Sequence, residues 1–193
     1  MRLVRLCLTV AAIALALPAS AADRFKIDPS HTSFAFLINH LGYSNTLGRF
    51  ADAEGEFTFS PTDAAAIAIK LTIKTASITT FDKARDDHLR SPDFFNAAEF
   101  PTMSFVSTKV EKTGEKTGKV TGNLTLIGQT KPVTLDVTFN KMAPHPLPRY
   151  NQILTSGFSA RGTIKRSDWG MKFGVPNLGD DVQLIIEVEG AKS

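Results

Sequence analysis

Apolar and polar residues alternate with a period of two along most of the chain. Thr, Ser, Lys, Asp, Glu and Gln separate the apolar positions, and the clearest runs are Ile67, Ile69, Leu71 and Ile73, then Val133, Leu135, Val137 and Phe139, then Val182, Leu184, Ile186 and Val188. Because successive side chains of a strand point to opposite faces, this pattern predicts strands with one buried face.

Alternating segments of this kind recur at regular spacing. They lie near residues 32–40, 48–60, 66–78, 102–111, 118–127, 131–141, 155–167 and 180–190. Such spacing indicates a sandwich or a barrel, and closure into a barrel removes exposed strand edges. We therefore predict an all-β fold, an eight-stranded antiparallel up-and-down β-barrel, of a size that holds one small ligand.

Residues 80–95 interrupt the alternation between predicted strands three and four. A short helix is expected over 82–90, and it ends at Ser91 because a residue before proline avoids the helical conformation. Ser91 then caps a turn that begins at Pro92 and carries Phe94 and Phe95. This insert is either a cap over one end of the barrel or a surface connection whose aromatic rings plug the core. Residues 143–148, with three prolines, predict a loop.

The N-terminus has the pattern of a secretory signal peptide. A basic start precedes an apolar run from Leu6 to Leu17 and the small residues 19–21, which predicts removal of residues 1–21 and a periplasmic domain over 22–193. A membrane anchor is disfavoured because a spanning helix needs about 20 apolar residues. The single cysteine, Cys7, lies in this segment, so we expect no disulfide in the remaining domain.

Charge and residue spacing argue against several function classes. Without Arg2 and Arg5 the chain has 20 basic and 19 acidic residues in place of 22 and 19, a balance that does not favour nucleic-acid binding. The four histidines lack the paired spacing of zinc ligands, so no metal site is predicted. No G-x-S-x-G elbow or phosphate loop occurs, and we expect a protein without catalytic residues.

The apolar faces must pack against each other or against a ligand. The chain has 14 Phe but only one Trp and two Tyr. A solid apolar core is one alternative. Gly55, Gly122, Gly162 and Ala160 fall in the inward register and are expected to leave room, which favours a ligand cavity.

Several segments together resemble the YceI-like family of lipocalin-like, polyisoprenoid-binding periplasmic proteins. The matching segments are I-D-P-S-H-T-S at 27–33, N-H-L-G-Y-S at 39–44 with G-R-F at 48–50, R-D-D-H-L with S-P-D-F-F at 85–95, F-P at 100–101, G-N-L-T-L-I-G with K-P-V at 122–133, and K-R-S-D-W-G at 165–170. They cover nearly the whole predicted domain in order. The family often has aspartate where Thr79 stands, so a polar contact there is expected to differ.

The resemblance implies a barrel with a long apolar channel, no catalytic residues, and a bound isoprenoid lipid such as a polyprenyl phosphate or ubiquinone. We expect the lipid tail to contact Phe34, Phe36, Ile38, Phe57, Phe59, Ile69, Leu71, Phe105, Leu124, Leu126, Phe158 and Trp169. The candidates for the head group are His40, Tyr43, Arg85 and His88, with Phe94 and Phe95 in the cap. Arg85 suits a phosphate through bidentate contact. Alternatively, Arg85 and His88 fix the helix to the barrel through Asp86 or a strand carbonyl.

An apolar barrel of this kind is also compatible with other functions. The same barrel could sequester lipophilic compounds such as fatty amides or antibiotics in a stress response, or carry a quinone as an accessory to a membrane cytochrome. A lipid hydrolase or isomerase is disfavoured because no catalytic set is found. A homodimer that covers the open end of the barrel is a further alternative.

Overall fold

The computed structural model describes residues 22–193, so the signal peptide predicted for residues 1–21 lies outside the described residues. Within this range the chain forms one antiparallel sheet and a single α-helix, α1 (Lys83–Arg90). The strands are β1 (Asp23–Ile27), β2 (Ser33–His40), β3 (Ser44–Phe50), β4 (Ala53–Phe59), β5 (Ala68–Lys74), β6 (Ile78–Thr79), β7 (Thr102–Lys112), β8 (Thr117–Leu126), β9 (Gln129–Pro144), β10 (Leu154–Lys165) and β11 (Leu178–Lys192).

The first six strands, β1 to β6, are short and join in pairs, end to end, to form three long barrel strands. On one side β1 and β2 both pair with β11. On the other side β1 pairs with β4, and β2 pairs with β3. Likewise, β4 pairs with β5 and β3 with β6. The described chain therefore has eight barrel strands, each beside the next in sequence, and β11 closes on the first strand. This confirms the predicted up-and-down barrel.

The closing seam is held by hydrogen bonds across a break between β1 and β2. The Asp28 backbone N–H donates to the Glu189 carbonyl at 2.8 Å. The Thr32 hydroxyl donates to the same carbonyl and accepts from the Glu189 N–H, both at 3.2 Å. One threonine side chain thus replaces the backbone pairing that the irregular turn interrupts, and the ladder with β11 continues on both sides.

The sequence prediction missed the start of the first strand. β1 begins at Asp23, not near residue 32, and its Phe25 is fully buried. The segment offers only Phe25 and Ile27 as alternating apolar positions, which is too short a pattern to recognise.

The loop predicted for residues 143–148 begins later, because Ala143 and Pro144 still pair with β10 at the end of β9. A proline at a strand end removes no inner hydrogen bond.

Helix α1 lies where it is predicted, between the third and fourth barrel strands. The Asp82 side chain caps it by accepting from the Arg85 N–H at 2.9 Å. The helix ends at Ser91, directly before Pro92. No helix within residues 22–193 has both the length and the apolar composition that crossing a membrane requires.

Candidate functional site

A cavity of about 910 Å³ occupies the barrel interior. At one end α1 and the segment after it contribute to its lining, together with Phe173 from the loop before β11. At the other end the lining includes Pro61 and the β7–β8 turn, residues 111–117. The cavity therefore extends along the barrel, and its volume lies near the top of the range of about 300–1,000 Å³ typical of ligand sites.

Most of the residues predicted to contact a lipid tail line this cavity. These are Phe34, Phe36, Ile38, Phe57, Phe59, Ile69, Leu71, Phe105, Leu124, Leu126 and Phe158. Trp169 is placed elsewhere: it is buried in the turn after β10, outside the lining, and its indole N–H donates to the Leu124 carbonyl at 3.2 Å. Trp169 therefore belongs to the buried core without lining the cavity, and it holds this turn against β8.

Phenylalanine rings form two groups along the wall. Away from the cap, Phe59 contacts Phe139 and Phe158, with ring centroids 5.0 and 4.9 Å apart, and Phe57 lies 5.5 Å from Phe158. Nearer the cap, Phe50 lies 6.0 Å from Phe36 and 5.3 Å from Phe95. These contacts lock the rings against each other and leave one face of the wall apolar for a ligand.

The inward glycines leave room in the cavity only indirectly, through the neighbouring groups that lie over them. A Cβ on Gly122 would collide with the ring of Phe105, which already fills that space. A Cβ on Gly162 would stand 2.7 Å from Leu135 Cδ2, and one on Gly55 would stand 2.5 Å from the Lys70 carbonyl oxygen. These glycines let neighbouring side chains and strands pack closely, and the cavity is bounded by the side chains that cover them. Ala160, in contrast, does line the cavity.

The segment that contains α1 covers one end of the barrel. Leu89, Phe94 and Phe95 of this segment line the cavity. Phe94 and Phe173 have ring centroids 5.3 Å apart, and each lies 5.0 Å from the ring of His88. Phe94 and Phe95 therefore lie at the covered end of the barrel and also fill part of its interior, so the two alternatives for this insert are compatible.

The cap is attached to the barrel through Thr80. The Asp86 carboxylate accepts from the Thr80 backbone N–H and hydroxyl, both at 2.6 Å. Burial raises the pKa of Asp86, but these hydrogen bonds, with that of Thr79 and the nearby charge of Arg90, outweigh it and hold the pKa below its usual value. The carboxylate is therefore ionised at neutral pH and fixes α1 to the end of β6.

The four candidates for a head group are not all placed at the cavity. His40, Arg85 and His88 line it. Tyr43 lies on the β2–β3 turn, outside the lining, with 89% of its surface exposed. Arg85 also donates from Nε and Nη2 to the Thr80 hydroxyl and carbonyl, each at 2.7 Å. His88 Nε2 lies 2.8 Å from an Asp93 carboxylate oxygen. Both therefore make structural contacts as well.

Sequence reasoning missed Arg166 as a lining residue, although it noted the K-R-S-D-W-G segment. Arg166 lines the capped end of the cavity and is only 2% exposed. Its guanidinium donates to the Gly179, Met171 and Leu178 carbonyls at 2.7, 3.0 and 3.2 Å. Burial lowers the pKa of Arg166, while the charge of Asp180 opposes this shift. The group keeps its positive charge, since the reference pKa of arginine is far above neutral pH.

Charged side chains line both ends of the cavity. Among residues 22–193, neither Arg85 nor Arg166 forms a direct ion pair with a carboxylate. Asp86 shares the Thr80 hydroxyl with Arg85, and the charge of Asp180 acts on Arg166, so carboxylates near the cap partly offset both guanidinium charges. At the opposite end Glu111 and Glu115 balance Lys112 and Lys116. The capped end therefore presents guanidinium groups that can donate to an anionic group of a ligand.

The sequence profile of the YceI-like domain matches residues 25–190 of this chain. A UPF0312 protein of Serratia proteamaculans (strain 568) is 41% identical over 188 residues, which cover 96% of this chain and 95% of the relative. Protein YceI of Escherichia coli O157:H7 is 39% identical over 187 residues, with the same coverage of 96% and 95%.

Solved structures show the same architecture. The crystal structure of BcnA from Burkholderia cenocepacia superposes with a TM-score of 0.76 at 26% identity, covering 84% of this chain and 98% of that one. A polyisoprenoid binding domain from Saccharophagus degradans superposes with a TM-score of 0.61 at 14% identity, covering 88% and 98%. At that identity the second likeness concerns the fold alone.

Proposed function

We propose that this chain, which belongs to the YceI-like domain family, is a non-catalytic periplasmic binding protein that holds one long-chain isoprenoid lipid in its barrel. The observation that carries the proposal is the cavity of about 910 Å³, lined by the inward side chains of the barrel strands and capped by α1. A polyisoprenoid binding domain has the same fold, and the apolar lining of this cavity suits a ligand of that class.

The lipid tail supplies most of the affinity in this proposal. Each methylene-sized group moved from water to an apolar wall contributes about 0.8 kcal/mol. Ordering the tail and the binding event itself offset a large part of that sum. A long methyl-branched chain fits a wall of Phe, Ile, Leu and Val because these side chains present no polar group that a tail would leave unpaired.

The head group lies under the cap, near Arg85 and Arg166. Both guanidinium groups lack a carboxylate partner among the described residues, and a phosphate on the lipid would neutralise their charge. His40 and His88 are further donors at the same end. This arrangement favours a polyprenyl phosphate over ubiquinone, because hydrogen bonds from a guanidinium group to a charged phosphate are stronger than those to a neutral quinone. Carriage or storage of such a lipid, rather than its chemical conversion, is the proposed role.

A binding titration with two ligands tests the proposal. Purified protein is titrated with a polyprenyl phosphate and with ubiquinone, and retention is measured after gel filtration. Ala160→Phe places a ring in the cavity from β10 and is expected to prevent retention of both lipids. Thr163→Phe, on the exposed side of the same strand, is the matched control and is expected to retain them.

Full retention by a folded Ala160→Phe variant would place the lipid outside the barrel and contradict the proposal. Retention of ubiquinone alone would keep the cavity as the site but indicate a quinone carrier. Preference for fatty amides or antibiotics over both lipids would indicate sequestration of other lipophilic compounds. Turnover of a prenyl diphosphate would contradict the non-catalytic role.

A further inference from the structure

The closing seam of the barrel brings together three side chains that are far apart in sequence. Asp28 and His31 lie in the turn between β1 and β2, and Glu189 lies on β11. Each offers one ligand atom, and these atoms all lie within 4.8 Å of one another. The site is separate from the lipid cavity, whose lining includes none of the three. Sequence spacing does not reveal the site, because Glu189 joins Asp28 and His31 only after the barrel closes.

We propose that Asp28, His31 and Glu189 form a binding site for one divalent transition-metal ion of the zinc type, which clamps the first barrel strand to β11. An imidazole nitrogen with carboxylate oxygens is a ligand set that such ions accept. The ion would join the two ends of the sheet at the seam on which closure depends.

The geometry of the first two ligands already approaches that of a bound ion. His31 Nδ1 lies 2.8 Å from Asp28 Oδ2. Zinc binds nitrogen and oxygen at about 2.0–2.2 Å, which places two neighbouring ligand atoms about 3.0–3.4 Å apart. The ion therefore replaces the shared proton after the pair opens by a few tenths of an ångström.

The ligands are also held in place by their surroundings. Asp28 Oδ1 accepts from the Ser30 N–H at 2.8 Å and the Ser30 hydroxyl at 2.7 Å, so that Oδ2 faces His31. The seam hydrogen bond from the Asp28 N–H to the Glu189 carbonyl fixes the two strands beside each other. Preorganised ligands lose little conformational entropy when the ion binds.

A second histidine lies near Glu189 outside the site. His145 Nε2 is 3.9 Å from Glu189 Oε1, which is too long for a direct hydrogen bond. His145 Nδ1 accepts from the Leu147 N–H at 3.2 Å, which leaves Nε2 on the side of the carboxylate. The ring therefore lies close to the site without contacting its ligand atoms.

The site is open to an incoming ion. His31, His145 and Glu189 line a surface hollow of about 370 Å³ at the end of the barrel opposite the cap. Among residues 22–193, no lysine or arginine forms an ion pair with Asp28 or Glu189. The charge of Arg149 acts on His31, and Lys141 lines the hollow, so the ion binds against these two cations through direct contact with both carboxylates. The hollow leaves room for water in the remaining coordination positions.

Calorimetric titration of the protein with ZnCl₂ tests the site. Wild-type protein is expected to bind one ion per chain at micromolar concentration. His31→Gln and Glu189→Gln are each expected to weaken binding by at least about tenfold, since even the loss of an outer-shell partner has an effect of that size. Glu187→Gln is the matched control: Glu187 is on the same strand and already pairs with Arg161, so its loss is expected to leave zinc binding unchanged.

NMR of the histidine ring protons provides a readout that does not depend on a variant. Zinc is expected to shift the His31 signals before those of His40 and His88. Absence of zinc binding by the wild-type protein, wild-type affinity in both ligand variants, or early shifts at His40 or His88 would each overturn the proposal.

Discussion

The ring of Phe36 lies over Gly48, its direct partner on the neighbouring strand, in the space that a larger side chain would fill. Phe36 faces the cavity, so Gly48 determines how far the ring stands from the ligand. Phe105 likewise lies over Gly122, which is diagonal to it on β8. Phe57 of β4 reaches across β1 to lie over Gly190 of β11, where a Cβ would stand 2.6 Å from the ring. Glycines thus set the width of the cavity by lowering aromatic rings onto the strands.

Gly48→Ala is expected to push the Phe36 ring toward the cavity centre, because the added Cβ occupies the ring's present position. Overpacking of this kind lowers the free energy of unfolding by about 1–3 kcal/mol. Lipid retention is also expected to fall, because the displaced ring takes up space in the cavity. Urea denaturation and a retention assay measure the two effects. Gly157→Ala is the control, since its Cβ would stand 3.6 Å from the Val188 carbonyl oxygen in ordinary contact. Equal behaviour of the two variants would contradict this role of Gly48.

Arg85→Met is expected to weaken binding of a polyprenyl phosphate by about 10- to 100-fold, because a hydrogen bond to a charged group contributes about 1.5–3 kcal/mol. Ubiquinone binding is expected to change little, since its head is uncharged. Competition titrations with both lipids give the ratio of the affinity for polyprenyl phosphate to the affinity for ubiquinone. Arg161→Met removes an arginine that pairs with Glu187 outside the lining and is expected to leave the ratio unchanged. If the Arg85→Met variant had the same affinity ratio as the wild-type protein, Arg85 would have no role in recognising the head group.

The attachment of the cap is expected to weaken in acid. Because hydrogen bonds from Thr80 hold the pKa of Asp86 below its usual value in the folded protein, the unfolded chain takes up a proton first as the pH falls. The stability that Asp86 contributes is therefore complete above its usual pKa and is lost as the pH falls through the lowered pKa. Amide exchange across α1 at several pH values measures this loss.

Asp86→Ala is expected to lower the free energy of unfolding by about 2–3 kcal/mol at neutral pH, because buried donors of Thr80 lose their partner. It is also expected to remove the acid dependence of exchange in α1. Asp136→Asn, at an exposed pair with Lys119, is the control and should preserve that dependence. If amide exchange in α1 of the Asp86 variant kept the acid dependence of the wild-type protein, a group other than Asp86 would be responsible for that dependence.

Phe25→Ala is expected to destabilise the barrel by about 3–5 kcal/mol, as is typical of a buried phenylalanine. Phe25 is fully buried and stacks on Phe57 with ring centroids 5.1 Å apart. Its neighbour Arg24 pairs with Glu56 at 3.6 Å on the surface, so Arg24→Ala is expected to cost less than about 1 kcal/mol. Denaturant unfolding compares the two variants, and a similar small loss for both would show that β1 contributes little to closure.

Alternation was enough to predict the strands and most of the inward-facing side chains, since period-two patterning determines which side chains share a face. The choice of a barrel over a sandwich needed the further argument that closure removes exposed strand edges. It failed where position depends on contacts between distant segments. Trp169 is apolar and buried, yet it packs against the Leu124 carbonyl rather than facing the cavity. Arg166 appeared polar in sequence, but the loop carbonyls of Met171, Leu178 and Gly179 allow its charge to be buried.

Whether the barrel holds an isoprenoid can be measured by mass spectrometry of the lipid extracted from protein purified without detergent from its native compartment. We expect one isoprenoid per chain, with an anionic head group and a tail that the Ala160→Phe variant no longer retains. If the protein emerges without lipid and takes up no added isoprenoid, the apolar wall encloses no ligand and the proposed function is wrong.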